Sequence, residues 1–231
     1  MFVIPCKYSL TAPYIISLVE NIRNFHPNEK IVVVDSNSED KTYFEKINRY
    51  EVLIEDIANK HWMVGAFWHS FKKYPDEDFY YFLHDSMKVK DNLEYLKSNA
   101  LTLLCYFNRA VHSSFSGWAE NINKYTNFVY TPNGKGCYGP AFFCQNYVMK
   151  NLLKAGVDKL LPSNKIEVGF AEGAYGFFFE QLGFDLENCS LFGDILSLES
   201  SAGKSGTFPH NTTWQYPIEK FYGHYADRTR L

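Results

Sequence analysis

The stretch Ile31-Val32-Val33-Val34 restricts this chain more than any other. A strand with one wet face alternates apolar and polar residues. Four β-branched apolar residues in a row are instead covered on both faces, as in the centre of a parallel sheet. The run stops at Asp35-Ser36-Asn37-Ser38-Glu39-Asp40, a polar turn behind the strand's carboxyl end. The same plan recurs along the first half. Phe2-Val3-Ile4 is a short apolar run stopped by Pro5, residues 51–54 read as a third strand, and Phe79-Tyr80-Tyr81-Phe82-Leu83 reads as a fourth that ends in His84-Asp85-Ser86.

Helical patterns lie between these runs. Ile15, Ile16, Leu18, Val19, Ile22 and Phe25 recur at spacings of three and four, which predicts an amphipathic helix. Pro13 behind Thr11 marks its entry, and His26-Pro27-Asn28 its end. Residues 43–50 predict a short helix and 64–74 a larger one, with Pro75 behind it. Strand–helix repetition with apolar strands implies an α/β fold, a mostly parallel sheet flanked by helices.

The second half is less regular. Residues 101–106 read as a strand, 145–155 as a helix stopped by Gly156, and 167–182 as a helix ending at Gly183. Residues 199–213 are rich in Ser, Gly and Thr and read as a surface segment. The chain of 231 residues fits one domain. Its expected parts are a first half at 1–98, a second half at 99–198, and a loop and tail at 199–231.

Composition removes several classes. A net charge of −3, from 23 basic and 26 acidic residues, gives no basic field for nucleic acid. Cys6, Cys105, Cys137, Cys144 and Cys189 are odd in number and contain no CxxC pair, which fits a reducing compartment rather than a disulfide framework or a structural zinc site. There is no basic segment followed by a long apolar core at the N-terminus, and no apolar run approaches the roughly 18 residues of a membrane span. The expectation is a cytoplasmic protein without a transmembrane segment. The remaining oddity is aromatic content, 20 Phe, 17 Tyr and 4 Trp. Core packing accounts for most of it, while Tyr8, Trp62, Trp68, Tyr106, Phe107, Trp118, Tyr138 and Trp214 fall where a cleft is expected. Trp118 and Trp214, in polar surroundings, are the two that stand out as candidates to stack on a ligand.

In parallel α/β sheets, ligands bind beyond the carboxyl ends of the strands. That rule places Lys7, Tyr8, Asp35, Ser36, Asn37, Asp56 and Asp85 on one rim. Turns also favour Asp and Asn, but three separate strands deliver an Asp here. Asp85 can offer a hard cation an oxygen, with His84 adding an imidazole suited to manganese; the structural alternative is a turn cap and a packed His. The Asp35 carboxylate can accept from a base imide or a ribose hydroxyl, or cap the following helix. Glu172, read at the opening of a helix, can act as a general base or simply complement the helix dipole. Glu167 and Glu180 compete for that role. The stretch 134–139 is glycine-dense but is neither a Walker A loop nor a GxGxxG motif. His210 and His224 are late histidines able to fold back and complete a metal site. No HExxH or GxSxG motif occurs.

The order of these motifs resembles a nucleotide-sugar-dependent glycosyltransferase of the GT-A fold, family-2-like and similar to small virus-encoded glycosyltransferase domains. The resemblance covers about residues 2–190. It is carried by Ile4-Pro5-Cys6-Lys7-Tyr8, by Val34-Asp35 with its small polar followers, by Asn59 with Gly65-Ala66, and by His84-Asp85-Ser86 where the family has Asp-x-Asp. Gly139, Ala155-Gly156 and Ala171-Glu172-Gly173 resemble the acceptor side. Two departures stand out: Ser86 or Met87 replaces the second metal-motif Asp, and Gly173 replaces the Asp that follows the base.

The resemblance implies a Rossmann-like GT-A fold with an irregular C-terminal acceptor side. It implies sugar transfer from a nucleoside diphosphate donor, UDP before GDP, to a glycan or other hydroxyl acceptor. Pro5, Lys7, Tyr8, Asp35, Ser38, Asn59, Lys60 and Asp85 would bind the donor. Asp85, His84 and His224 would hold Mn²⁺ or Mg²⁺, and Glu172 would be the base of an inverting reaction. The rival is a catalytically degenerate nucleotide- or carbohydrate-binding protein on the same fold. A nucleotidyltransferase would need a glycine-rich basic loop near the N-terminus, and Thr11-Ala12-Pro13 is not one.

Overall fold

The computed structural model describes residues 1–8, 14–109, 117–195 and 217–220. Its first half is the expected alternation: β1 (Phe2–Cys6), α1 (Tyr14–Phe25), β2 (Ile31–Asp35), α2 (Tyr43–Asn48), β3 (Leu53–Asp56), α3 (Trp62–Lys73) and β4 (Phe79–Phe82). After it come β5 (Met87–Val89), β6 (Leu101–Leu103), β7 (Tyr106–Asn108), α4 (Ala119–Tyr125), β8 (Lys135–Cys137), β9 (Phe142–Gln145), α5 (Asn146–Lys154), α6 (Lys165–Gln181) and β10 (Ile218–Lys220).

Six strands form the central sheet in the order β3-β2-β1-β4-β9-β6. The pairs β3–β2, β2–β1 and β1–β4 are parallel, while β9 runs antiparallel to both its neighbours. The chain moves outward from β1 to β2 and β3, then returns to the other side of β1 with β4. That reversal opens a crevice between the carboxyl ends of β1 and β4.

Every residue of β2 is buried, as the unbroken apolar run requires. Strand alternation then divides the core in two. Val3, Val32, Val34, Tyr80 and Phe82 face one cluster with residues of α3, α5 and α6. Phe2, Ile4, Ile31, Val33, Phe79 and Tyr81 face the other, with α1 and α2. The aromatics do most of the filling: Phe2 stacks on Tyr81 at 4.3 Å, and Phe142 meets Phe82 at 4.9 Å and Phe179 at 5.0 Å. Each such side chain contributes about 1.5–3 kcal/mol by leaving water.

Several expectations need correction. The third strand starts two residues later than expected, because Glu51 takes a left-handed φ of 56° as α2 ends and the chain turns. The single strand expected over 101–106 is two. β6 joins the central sheet, whereas β7 pairs with β8 in a separate ribbon. The last large helix is 17 residues long and starts at Lys165, because the Asn164 side chain accepts the N–H groups of Ile166 and Glu167. Glu172 therefore lies in the middle of α6, not at its opening. Trp118 is 3% exposed and belongs to the core, not to a polar loop.

Candidate functional site

The rim is built from strand ends tied to one another. At the β1–β4 crevice, the Lys7 main-chain N–H donates to Asp85 Oδ2 at 3.3 Å. Asp85 sits in the turn between β4 and β5, which is closed by Met87 N–H to His84 O at 3.2 Å. On the other side of β1, Tyr8 N–H donates to Ser38 Oγ at 2.8 Å, and Ser36 N–H to Cys6 O at 2.7 Å. Pro5 is half-buried, Tyr8 is buried, and Lys7 projects into solvent.

Asp35 anchors this side. It has 0% exposure. Its Oδ1 accepts the Ser38 N–H at 3.0 Å and its Oδ2 the Tyr43 hydroxyl at 2.8 Å. Tyr43 also stacks on Tyr8 at 4.6 Å. Burial, then the Asp85 charge, push the Cys6 thiol well above the usual cysteine range, while a hydrogen bond with Tyr43 opposes them and the Asp35 charge adds to the rise. Both rim carboxylates thus lie within electrostatic reach of one buried thiol. Asp56, aligned with Asp35 in the β2–β3 register, pairs with Lys41 at 2.5 Å.

The β3–α3 loop is fixed just as firmly. Asn59 N–H donates to Asp35 O at 3.2 Å, and its amide donates to Ser36 Oγ at 3.1 Å and Trp62 O at 2.5 Å. Its Oδ1 accepts the His61 N–H at 3.0 Å. A Cβ at Gly65 would overlap the Asn59 Oδ1 atom and crowd His61 Cβ, so only glycine admits this loop against α3. Ala58 and Trp62 both have φ near 48°, a backbone conformation costing about 1–3 kcal/mol that the Asn59 bonds hold in place. A cavity of about 470 Å³ opens beside the loop, lined among others by Asn59, Lys60, His61, Trp68 and Lys72. Lys60 is exposed, and among the described residues it forms no ion pair.

The second-half elements reach the same rim through β8. α6 packs on β8, and Gly176 makes room for it, since a Cβ there would collide with Lys135 O. Burial and, second, the Glu172 charge push the Cys137 thiol well above its usual range, so Glu172 lies near the end of β8. Two residues beyond Cys137, Gly139 lies against the His84 ring, where a Cβ would stand 3.1 Å from His84 Cε1. The rival carboxylates have other work. Glu167 Oε2 accepts the Ser163 N–H at 2.7 Å, and Glu180 pairs with the buried Arg109 at 2.7 Å while accepting the Lys135 N–H at 2.9 Å. The other glycines of this stretch lie close to neighbouring side chains, Gly134 to Arg109 and Glu180 and Gly136 to Phe107.

Among the described residues, no group of three or more His, Cys, Asp or Glu converges as a metal cage. Asp85 and His84 are adjacent in one turn, a carboxylate and an imidazole. Such a pair suits an ion that takes its other ligands from substrate phosphates and water. β10 leads back here, with Lys220 paired to Met87. His224, His210 and Trp214 lie outside the described residues. Two members of the arrangement carry little sequence signal: Tyr43 was legible only as a helix start, and His61 only as a neighbour of Asn59.

No protein-family model matches the chain, and no curated protein matches it in sequence. Similar solved structures include residues 1–349 of Staphylococcus aureus TarS, at 15% identity and a TM-score of 0.45 over 75% of this chain and 54% of that one. This chain therefore spans about half of that TarS chain. A CMP:2-keto-3-deoxy-manno-octonic acid synthetase complexed with CTP matches at 13% identity and a TM-score of 0.46, over 79% of this chain and 86% of that one. Mycobacterium tuberculosis glucosyl-3-phosphoglycerate synthase, in complex with Mn²⁺, UDP and phosphoglyceric acid, matches at 13% identity and 0.43, over 80% and 65%. In the described residues, no helix is long and apolar enough to cross a membrane.

Proposed function

We propose that this chain is a glycosyltransferase that moves a sugar from a nucleoside diphosphate to a hydroxyl acceptor with inversion. The observation that carries the reading is the Lys7 N–H to Asp85 Oδ2 bond across the β1–β4 crevice. It ties an acidic turn to the first-strand loop where an α/β sheet receives its ligand. The diphosphate lies in that crevice, and the nucleoside extends over the ends of β1 and β2 toward Asn59 and Lys60. Pro5, Lys7 and Tyr8 line its path. Asp35 acts from below by holding Ser38 and Tyr43 in place.

Asp85 and His84, with His224 as third candidate, would hold Mn²⁺ or Mg²⁺. When bound, such an ion supplies Lewis-acid stabilisation of charge on the departing diphosphate. Glu172 takes the proton of the acceptor hydroxyl. The acceptor oxygen bonds to the anomeric carbon from the face opposite the diphosphate, and the carbon–oxygen bond to the diphosphate breaks with its electron pair staying on the phosphate. Its place near the end of β8, which leads to the Gly139–His84 contact, supports Glu172 in this role.

One observation favours a second reading. A donor set of one carboxylate and one imidazole, with Ser86 beside it, also suits a binder that has lost catalysis. Thermal-shift measurements with nucleoside diphosphates and Mn²⁺, followed by donor hydrolysis and acceptor assays, separate the two. Stabilisation with turnover supports the transferase, stabilisation without hydrolysis or transfer supports the binder, and no stabilisation removes both.

A further inference from the structure

Most polar side chains at the end of β2 are spent inside the chain. Asp35 is wholly buried, with one oxygen on the Ser38 N–H and the other on the Tyr43 hydroxyl. Ser38 is 5% exposed, and its Oγ accepts the Tyr8 N–H. Asn59, which the sequence offered as a donor contact, is buried and saturated. Its Oδ1 faces the His61 main-chain N–H, which can only donate, and its Nδ2 faces Trp62 O, which can only accept. Those two partners fix which way round the amide sits, and α3 packs at Gly65 against the Oδ1 side. The second amide hydrogen then goes to Ser36 Oγ at 3.1 Å, and Ser36 has to accept it.

Ser36 is in a different condition from its neighbours. Its main-chain N–H is bonded to Cys6 O, which seats it at the carboxyl ends of β1 and β2, and the residue is only half-buried. Its Oγ receives the Asn59 N–H, so its own hydrogen cannot be given to Asn59, and among the described residues it is donated to none. We propose that the Ser36 hydroxyl donates this hydrogen to an acceptor oxygen of the nucleoside, and that Asn59 is a positioning residue that acts through Ser36 without touching the ligand. This role rests on the nucleotide-donor reading above, which runs the nucleoside over the ends of β1 and β2. The left-handed backbone at Ala58 and Trp62, on either side of Asn59, is strain that the loop carries while it holds the amide in this place.

The test is a double-mutant cycle read by calorimetric titration of the whole chain with Mn²⁺ present. UDP, GDP, CDP and ADP are tried on wild type, and the tightest binder is carried through. Ser36→Ala should weaken it about three- to tenfold, the weight of one hydrogen bond, and Ser36→Thr, which keeps the hydroxyl, should bind within about twofold of wild type. Asn59→Ala should weaken binding by a similar factor in the wild-type chain but by less than about twofold when Ser36 is already Ala. Asn59→Asp is run in parallel in case the alanine variant does not fold; its added charge is present in both backgrounds, so the cycle cancels it. A residue that only built the loop would cost the same factor with or without the Ser36 hydroxyl. That outcome, or wild-type affinity in Ser36→Ala, overturns the proposed pair and leaves the donor reading intact. Binding of none of the four nucleotides by wild type overturns the donor reading, and the pair with it.

Discussion

Asp85 Oδ2 and the Lys7 main-chain N–H, 78 residues apart in sequence, are bonded at 3.3 Å across the β1–β4 point where the sheet reverses its strand order. The bond fixes the spacing between the first-strand loop and the acidic turn, and so the width of the crevice in which a diphosphate would lie. It also orients one carboxylate oxygen before any ligand arrives.

Replacing Asp85 with Ala should therefore cut sugar transfer by at least about 100-fold, the usual cost of losing one fixed group that stabilises charge in a transition state. Asp85 is only half-buried, so circular dichroism and melting temperature should stay close to wild type. Initial rates decide it: full activity in the folded variant removes Asp85 from the mechanism.

Glu172→Gln keeps the size of the side chain and removes its basicity. The turnover number should fall by about 10²–10⁴-fold, with little change in donor affinity. Undiminished turnover would pass the role of base to another group.

Tyr43→Phe leaves one oxygen of a fully buried carboxylate without its donor. Urea unfolding should report a loss of about 1–3 kcal/mol. Donor affinity should weaken too, since Asp35 holds Ser38 and Ser38 holds the Tyr8 backbone. A variant as stable as wild type would show that Asp35 is satisfied without the hydroxyl.

Arg109→Met tests the packing of the β7–β8 ribbon on α6. The Arg109 side chain is 1% exposed and lies over the Phe177 ring at 5.2 Å while pairing with Glu180. The substitution removes the charge and keeps much of the packing, but it strands Glu180 against the 134–135 backbone. Breaking one side of a buried pair costs about 3–5 kcal/mol. Glu180 is partly open to water, so a value at the lower end is expected in denaturant unfolding; a loss below about 1 kcal/mol would mean that the pair does not hold the ribbon to α6.

Acidification tests His26. It is buried against Phe2, and its Nε2 accepts the Leu93 N–H at 3.1 Å. Burial lowers its pKa below the ordinary value, with the charges of Glu29 and Glu94 opposing. The unfolded chain then takes up a proton before the folded one. Stability from this residue is present above about pH 6.5 and is lost as pH falls toward the lowered folded value, by up to about 1.4 kcal/mol per pH unit. Unfolding free energies between pH 7.5 and 5.5 should show that slope in wild type and a flatter one in His26→Gln.

Much of the fold was legible because burial writes itself into short patterns. The β-branched run 31–34, the spacing of Ile15 to Phe25, and the polar turns behind 34 and 83 required β2, α1 and a rim, and all of them formed. The division of 101–108 between two sheets was not legible, because partners far along the chain, β9 for one piece and β8 for the other, decide it. Trp118 looked exposed because its sequence neighbours are polar, but its spatial neighbours belong to the core.

The candidate site divides in the same way. The sequence by itself determined which chemical groups stand at the strand ends, because an apolar strand must end in a polar turn and the turn's residues follow directly. Only the tertiary structure decided which of those groups are held by partners within the chain. Asp35 is turned inward by Tyr43, Glu167 and Glu180 are drawn to other parts of the chain, and His61 has its ring set by the carbonyl of Pro162, 101 residues away. A local pattern encodes burial and turn. The partner of a buried polar atom is chosen by whatever chain the fold brings within 3 Å of it, and no spacing in the sequence records that choice.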